Sequence, residues 1–345
     1  MRTHRKKTKN HRLPVKSTIV IWLVLLFSLA AFGQSSIKFD IIGKSPSLIG
    51  TAFGGAMTQR SIVVRDWDDY HIYSFDAQEW SKLEFKDYRL KSLDGMSWMN
   101  TVYLPTFGKV ITLSDELEIL GLLKLDLGYI QIDGGAPVLG GAVVWKEKIY
   151  LFGGFIMVNM GNELSQQSQV NTVNKTRKPG RVLISSNKLI VFDPATLTYQ
   201  ELDSMPGSHF RLGAFVNDQL YAIGPVPGIT PATDIICYNP LNPGWKNLGQ
   251  FPVYVGAVAQ DGDVLYLLGL DNHEGFLITL DTKTGLQKRF KTNVPWTQGL
   301  AFIRDHKLYY FAGMKENPKI REVFFRDPRW LSRTMYRLDL STLSK

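Results

Sequence analysis

Apolar and polar residues alternate in short runs along most of the chain, and the runs recur. From Lys148 the chain reads Lys148-Ile149-Tyr150-Leu151-Phe152-Gly153-Gly154. Its core, Tyr-x-x-Gly, returns as Tyr221-Ala222-Ile223-Gly224, Tyr266-Leu267-Leu268-Gly269 and Tyr310-Phe311-Ala312-Gly313. Short apolar runs rich in aromatic and β-branched side chains predict strands. A second apolar run precedes each copy: Gly141-Ala142-Val143-Val144, Gly213-Ala214-Phe215-Val216, Gly256-Ala257-Val258-Ala259 and Gly299-Leu300-Ala301-Phe302. Gly213, Gly256 and Gly299 are each 43 residues apart. Polar turns such as Asn217-Asp218, Asp261-Gly262-Asp263 and Arg304-Asp305-His306 separate the two runs. Asn, Asp and Gly tolerate the positive φ of tight hairpins, so each unit opens with two antiparallel strands.

A third strand follows and ends near Asp or Asn, as in Val191-Phe192-Asp193, Cys237-Tyr238-Asn239 and Thr279-Leu280-Asp281. A fourth runs from Tyr199 to Pro206, Trp245 to Pro252 and Lys288 to Pro295, seven residues in each case. Four short strands at a period in the forties predict a propeller blade. The glycine ending strand two fits close backbone approach between converging sheets. The large ring opening strand four fits packing between blades.

These residues resemble the Kelch repeat family. Its pattern has a glycine pair closing strand two, an aspartate-bearing third strand and a tryptophan in strand four. Gly153-Gly154 keeps the pair, Trp80 and Trp245 keep the tryptophan, and Tyr199 replaces it once. The resemblance covers most of the chain from about residue 37. It implies an all-β, six-bladed Kelch-type β-propeller with four antiparallel strands per blade.

Blade one is expected over Leu48 to Phe85, with strands Ile49–Phe53, Ser61–Val64, His71–Phe75 and Trp80–Leu83. Blade two, 96–127, is the poorest copy; blades three to six begin near 138, 210, 254 and 297. Residues 37–46 read as a fourth strand with no three before it, and Met335–Asp339 as a third with no fourth after it. The N-terminal strand is therefore expected to close the last blade and remove its exposed edge. Blade three carries an insertion over 155–186 and blade six one over 315–332, both between strands two and three.

Residues 1–16 hold seven Lys or Arg and no acid, and Thr18 to Phe32 is an apolar run. With the small residues Ala31 and Gly33 after it, residues 1–33 have the three parts of a secretory signal peptide, cleaved after Gly33. The uncharged stretch Ser17 to Ile37 is also long enough for an uncleaved single-pass anchor. Either way the propeller, residues 34–345, is expected outside the cytoplasm, in the periplasm, at the cell surface or secreted. The net charge of +9 shrinks accordingly: without those seven residues, 33 basic residues face 31 acidic ones. The basic balance is a targeting feature and does not point to nucleic acid.

Cys237 is the only cysteine, which rules out an intrachain disulfide, and its apolar strand predicts a buried small hydrophobe. His71 is expected to be structural, and His306 to lie on the face away from the other candidates. His209 and His273, with Asp271 and Glu274, lack metal-ligand spacing, so no metal and no cofactor is expected.

Loops between strands two and three share one face with the loops joining blades. Ser47, Arg89, His209, Arg211, Tyr254, Trp296 and Gln298 are the candidate ligand-binding residues there. Aromatic faces suit sugar rings or peptide side chains, and Arg can clamp carboxylate. The two insertions add candidate partner-binding residues: Lys175, Arg177, Lys178 and Arg181 in the first, Arg321, Phe324, Phe325, Arg326 and Trp330 in the second.

The Kelch resemblance extends to copper-radical oxidases similar to galactose oxidase, which need a cysteine crosslinked to tyrosine and histidine ligands. Cys237 has no suitable histidine pair. It extends also, by fold and compartment only, to bacterial sialic-acid epimerases and mutarotases. The expectation is an exported, monomeric recognition propeller that binds a protein, peptide or glycan on its loop face and at its central channel. The membrane enters only through the N-terminal segment, if uncleaved. The alternative is a cofactor-free carbohydrate isomerase, in which His209, Arg211 and Glu274 would serve.

Overall fold

A computed structural model describes residues 35–46, 55–58, 60–66, 69–83, 96–98, 101–106, 109–113, 119–124, 137–138, 141–153, 155–159, 181–185, 187–193, 195–196, 198–207, 210, 212–225, 232–295, 299–311, 313 and 332–344. Met1–Ser36 and Ile37–Lys345 are separate compact units. The described part of the first is a short strand, β1 (Ser35–Ser36). The apolar run 18–32 lies outside the described residues. Among those described, no helix is long and apolar enough to cross a membrane.

The second unit is a β-propeller arrangement of antiparallel sheets. It begins with β2 (Asp40–Lys44), which joins the last sheet. The first sheet is β3 (Gly55–Met57), β4 (Ser61–Asp66), β5 (Asp69–Ser74) and β6 (Glu79–Leu83), paired in that order. The second is β7 (Met96–Trp98), β8 (Thr101–Thr106), β9 (Lys109–Leu113) and β10 (Ile119–Lys124). After β11 (Pro137–Val138) come β12 (Gly141–Trp145) and β13 (Lys148–Phe152). A hairpin, β14 (Phe155–Asn159) and β15 (Arg181–Ser185), precedes β16 (Leu189–Asp193) and β17 (Thr198–Glu201). The third sheet is β12-β13-β16-β17, and β11-β14-β15 form a three-stranded sheet beside it.

The fourth sheet is β18 (Leu212–Val216), β19 (Gln219–Pro225), β20 (Thr233–Tyr238) and β21 (Trp245–Phe251). Next come β22 (Tyr254–Asp261), β23 (Val264–Asp271), β24 (Glu274–Asp281) and β25 (Gln287–Thr292), paired in that order. The last sheet is β26 (Leu300–Arg304), β27 (Lys307–Phe311), β28 (Thr334–Asp339) and then β2, followed by a 3-10 helix, Leu340–Ser344.

Two expectations are corrected here. Six four-stranded blades were expected; the structure shows five, as five sheets of four strands each. The β22–β25 sheet departs from the four-stranded pattern because the outer edge of β25 takes a further backbone partner: Ile37 donates its N–H to the Lys291 carbonyl at 2.9 Å. The first strand of the first sheet is Gly55–Met57 rather than Ile49–Phe53, which lies outside the described residues. The second sheet, weak in sequence, also gains Met96–Trp98 ahead of the expected strands. The insertion after Phe152 begins and ends as the hairpin β14–β15, where Ile156-Met157-Val158 faces Val182-Leu183-Ile184 in register.

The hairpins take the expected geometry. Asn217 and Asp218 have φ of 50° and 61°, and Asp305 and His306 have 50° and 55°. Gly153 stands at φ 65°, and a Cβ there would overlap the carbonyl of Phe210, just ahead of β18. That is the close approach read from the repeat.

The core lies between sheets rather than in one central mass. Tyr150, Phe152 and Leu189 of the third sheet pack with Phe215, Leu220 and Tyr238 of the fourth. Tyr221 and Ile235 of the fourth pack with Leu265, Leu267 and Phe276 of the next. Tyr266, Leu277 and Phe290 pack with Leu308, Tyr310 and Tyr336 of the last. Ile62, Val64 and Tyr73 of the first pack with Phe311 and Met335 of the last. The strand-four tryptophans span these seams. Trp245 donates its indole N–H to the Asp203 carbonyl at 3.1 Å, and Trp80 donates to Met335 Sδ at 3.1 Å.

The four repeat tyrosines, Tyr150, Tyr221, Tyr266 and Tyr310, are all buried. Burial raises all four phenols above their ordinary value, and Tyr150 is pushed up to about 12. The folded chain therefore holds these protons longer than the unfolded chain. Their contribution to stability is complete below about pH 10 and is lost as pH rises beyond it.

Residues 37–45 bind the last two sheets together. Phe39 is fully buried, with 0% exposure, among Leu277, Tyr336 and Leu338. The Asn293 side chain accepts from Phe39 N–H at 2.8 Å and donates to its carbonyl at 3.0 Å. Strand β2 then pairs with β28, and Ser45 donates its N–H to the Arg333 carbonyl at 2.7 Å. Phe39→Ala is expected to lower unfolding free energy by about 3–5 kcal/mol in urea titrations. Ile41→Ala, at a side chain 66% exposed, is expected to change it by less than about 0.5 kcal/mol. Tyr150→Phe is expected to move the alkaline unfolding midpoint upward, read by phenolate absorbance and circular dichroism together.

Candidate functional site

Most residues proposed from the sequence lie outside the described set. They are Ser47, Arg89, His209, Arg211, Trp296 and Gln298, and in the insertions Lys175, Arg177, Lys178, Arg321, Phe324, Phe325, Arg326 and Trp330. Two can be placed. Tyr254 opens β22, with its carbonyl against Gly269. Arg181 opens β15, its backbone paired with Asn159.

The acids once set beside His273 are engaged. Asp271 accepts from Arg289 Nη2 at 2.7 Å, and Glu274 from Lys291 Nζ at 2.5 Å. Among the described residues, no three His, Cys, Asp or Glu side chains converge as a metal site would require. Cys237 is buried, and desolvation pushes its thiol up, away from the reactive thiolate. His71 is buried in β5.

A cleft opens elsewhere, at the seam between the first and last sheets. Its volume is about 390 Å³. The first sheet contributes Tyr73, Phe75, Asp76 and Gln78, from the end of β5 and the turn into β6. The last contributes Arg304, Asp305, Lys307, Tyr309 and Arg337, with Ile42 from β2. In an antiparallel four-stranded sheet, the turns between strands one and two and between strands three and four leave at one end. The cleft is therefore at the end away from the proposed loop face.

Other seams at this end are stitched by polar side chains. Asp218 accepts from the Trp145 indole at 3.1 Å and pairs with Lys146 at 3.3 Å. Asn217 donates to Thr282 Oγ1 at 3.3 Å. His306 Nδ1 and Asp261 Oδ2 are 2.8 Å apart. At the cleft the seam is bridged instead by rings. Arg304 lies over the Phe75 ring with its Cζ 4.3 Å from the centroid. Phe75 contacts Tyr309 at 5.2 Å and Tyr73 at 5.8 Å between centroids.

Register explains the grouping. Arg304 is opposite Lys307 across β26 and β27, and Tyr309 is opposite Arg337 across β27 and β28. Cross-strand neighbours on one face of a sheet lie within reach of each other. Arg304 is further held by Asp305, Nε to Oδ2 at 3.2 Å. Arg337 Nη2 lies 3.7 Å from Asp40 Oδ2 on β2. Burial raises the Tyr309 phenol, against Arg337 and Arg304, which lower it. Burial and then the neighbouring Tyr309 raise Tyr73, while Arg337 lowers it. Both phenols are neutral near pH 7 and stand as hydrogen-bond donors. The cleft joins flat apolar faces, two phenols and three cations.

Sequence reading passed over these residues. Arg304 and Asp305 read as turn formers, and Tyr309 carries no signal in the repeat. The available signal was the three cations Arg304, Lys307 and Arg337, spread over three strands of a single blade. A scan against protein-family models finds no match, and neither does a search of curated proteins.

The contact between Arg304 and Phe75 crosses the seam. In a double-mutant cycle, Arg304→Ala and Phe75→Ala are expected to show a coupling of about 0.5–2 kcal/mol by denaturant unfolding. Strict additivity would mean that the two do not interact.

Proposed function

We propose that the protein is a ligand-recognition propeller whose binding site is the cleft between the first and last sheets. The observation carrying this reading is the cleft's composition. Phe75, Tyr73 and Tyr309 offer flat faces beside Arg304, Lys307 and Arg337, within about 390 Å³. That size and mixture suit a small ligand or one residue of a larger one. The finer reading is an exported propeller of Kelch type, closed as a ring by its N-terminal strand. The β2–β28 pairing and the packing of Ile62 and Tyr73 on Phe311 and Met335 support closure. The basic and apolar segments over residues 1–33 support export.

Recognition is preferred to carbohydrate isomerisation because an isomerase needs an acid and a base flanking its substrate. The cleft's phenols hold their protons more tightly than ordinary tyrosines, and Glu274 is paired with Lys291.

A thermal-shift panel of neutral sugars, acidic sugars and short peptides on the full chain tests the reading. At least one ligand is expected to raise the melting midpoint in wild type and not in Tyr309→Ala. A panel without any rise, or a rise that survives Tyr309→Ala undiminished, sinks the cleft as the binding site.

A further inference from the structure

The seam cleft has a charge pattern that selects its ligand. Arg304, Lys307 and Arg337 line it against Asp76 and Asp305, leaving a cationic excess. Asp305 is committed to Arg304 Nε and is itself largely exposed at the rim. The Arg304 side chain is only 26% exposed, and its Nη1 is buried with no hydrogen-bond partner among the described residues. A buried charged donor without an acceptor is costly, and an incoming acceptor removes that cost. The guanidinium is already oriented, by Asp305 at Nε and by the Phe75 ring beneath its plane. A preoriented fork loses little freedom when it takes a carboxylate.

We propose that the cleft binds the carboxylate of a small ring-bearing acid, with Arg304 as the anchor. The proposal rests on the reading of the cleft as the ligand site and specifies its chemistry. Nη1 of Arg304 donates to one carboxylate oxygen. Arg337 and Lys307, on the neighbouring strands, supply the remaining positive charge. The Tyr73 and Tyr309 hydroxyls donate to ring oxygens or to the second carboxylate oxygen. The ring of the ligand lies against Phe75 or Tyr309. An acidic sugar and an aromatic acid share this chemistry, and the volume admits either.

Calorimetric titration of the full chain tests the assignment with matched probes. D-glucuronate is set against D-glucose, and benzoate against benzyl alcohol. At least one acid is expected to bind, with its neutral partner showing no heat. Arg304→Gln is expected to weaken that acid by about tenfold or more. Lys307→Gln, a rim variant, is expected to weaken it less. Melting midpoints of both variants establish that they remain folded. The stronger acid identifies the sugar or the aromatic source. Equal binding of an acid and its neutral partner overturns the anion assignment while the cleft stands as a recognition site. Acid binding undiminished in folded Arg304→Gln overturns Arg304 as the anchor. Failure of both acids to bind the folded wild type overturns the proposal, and the wider panel with Tyr309→Ala then decides the recognition reading separately.

Discussion

Strand β2 pairs with β28, and the arrangement of the sheets depends on this contact. Asp40 faces Arg337 and Lys44 faces Thr334, so residues from near one end of the chain complete a sheet built near the other. Most other seams join sheets that follow each other in sequence, and such neighbours meet at small cost in chain entropy. The contact between first and last sheets has no such help, because closing a long loop costs entropy before any contact forms. Ile62, Val64 and Tyr73, packed on Phe311 and Met335, make that contact, while Phe39, the reciprocal Asn293 bonds and the Ser45–Arg333 pair fix residues 37–45 to the last two sheets.

The cleft is a consequence of the same geometry. Repeated seams can use repeated solutions, and the hairpin ends carry them: Asp218 with Trp145 and Lys146, Asn217 with Thr282, Asp261 with His306. The seam between first and last sheets brings together side chains from unrelated parts of the chain. Phe75, Tyr309 and Arg304 bridge it without filling it. A cleft at the join leaves the interleaved cores of the other seams intact.

Burial has opposite uses in the two sets of tyrosines. Tyr150, Tyr221, Tyr266 and Tyr310 are locked in the interleaves between sheets, and their raised phenols record that. Tyr309, the neighbour of Tyr310, points to the other face of β27 and lines the cleft with Arg337 across from it. One step along a strand turns a side chain from core to cleft, because successive residues face opposite sides of a sheet.

The sequence by itself determined the strands, their antiparallel hairpins and the role of the Tyr-x-x-Gly repeat. These are local matters: alternation, turn residues with positive φ, and glycine where sheets converge act within about one blade. It also determined that residues 37–46 are a fourth strand in search of a sheet, since Phe39 and Pro46 keep the seven-residue spacing. The weak alternation of 96–124 and the polar insertion after Phe152 hid strands whose partners are supplied by pairing rather than by pattern. Only the tertiary structure decided that the cleft lies at the hairpin end. Arg304 and Phe75 are more than 200 residues apart in sequence, and no periodicity relates them. They meet where the first sheet packs against the last, and that contact, unlike the repeat, is written in no single stretch of the chain.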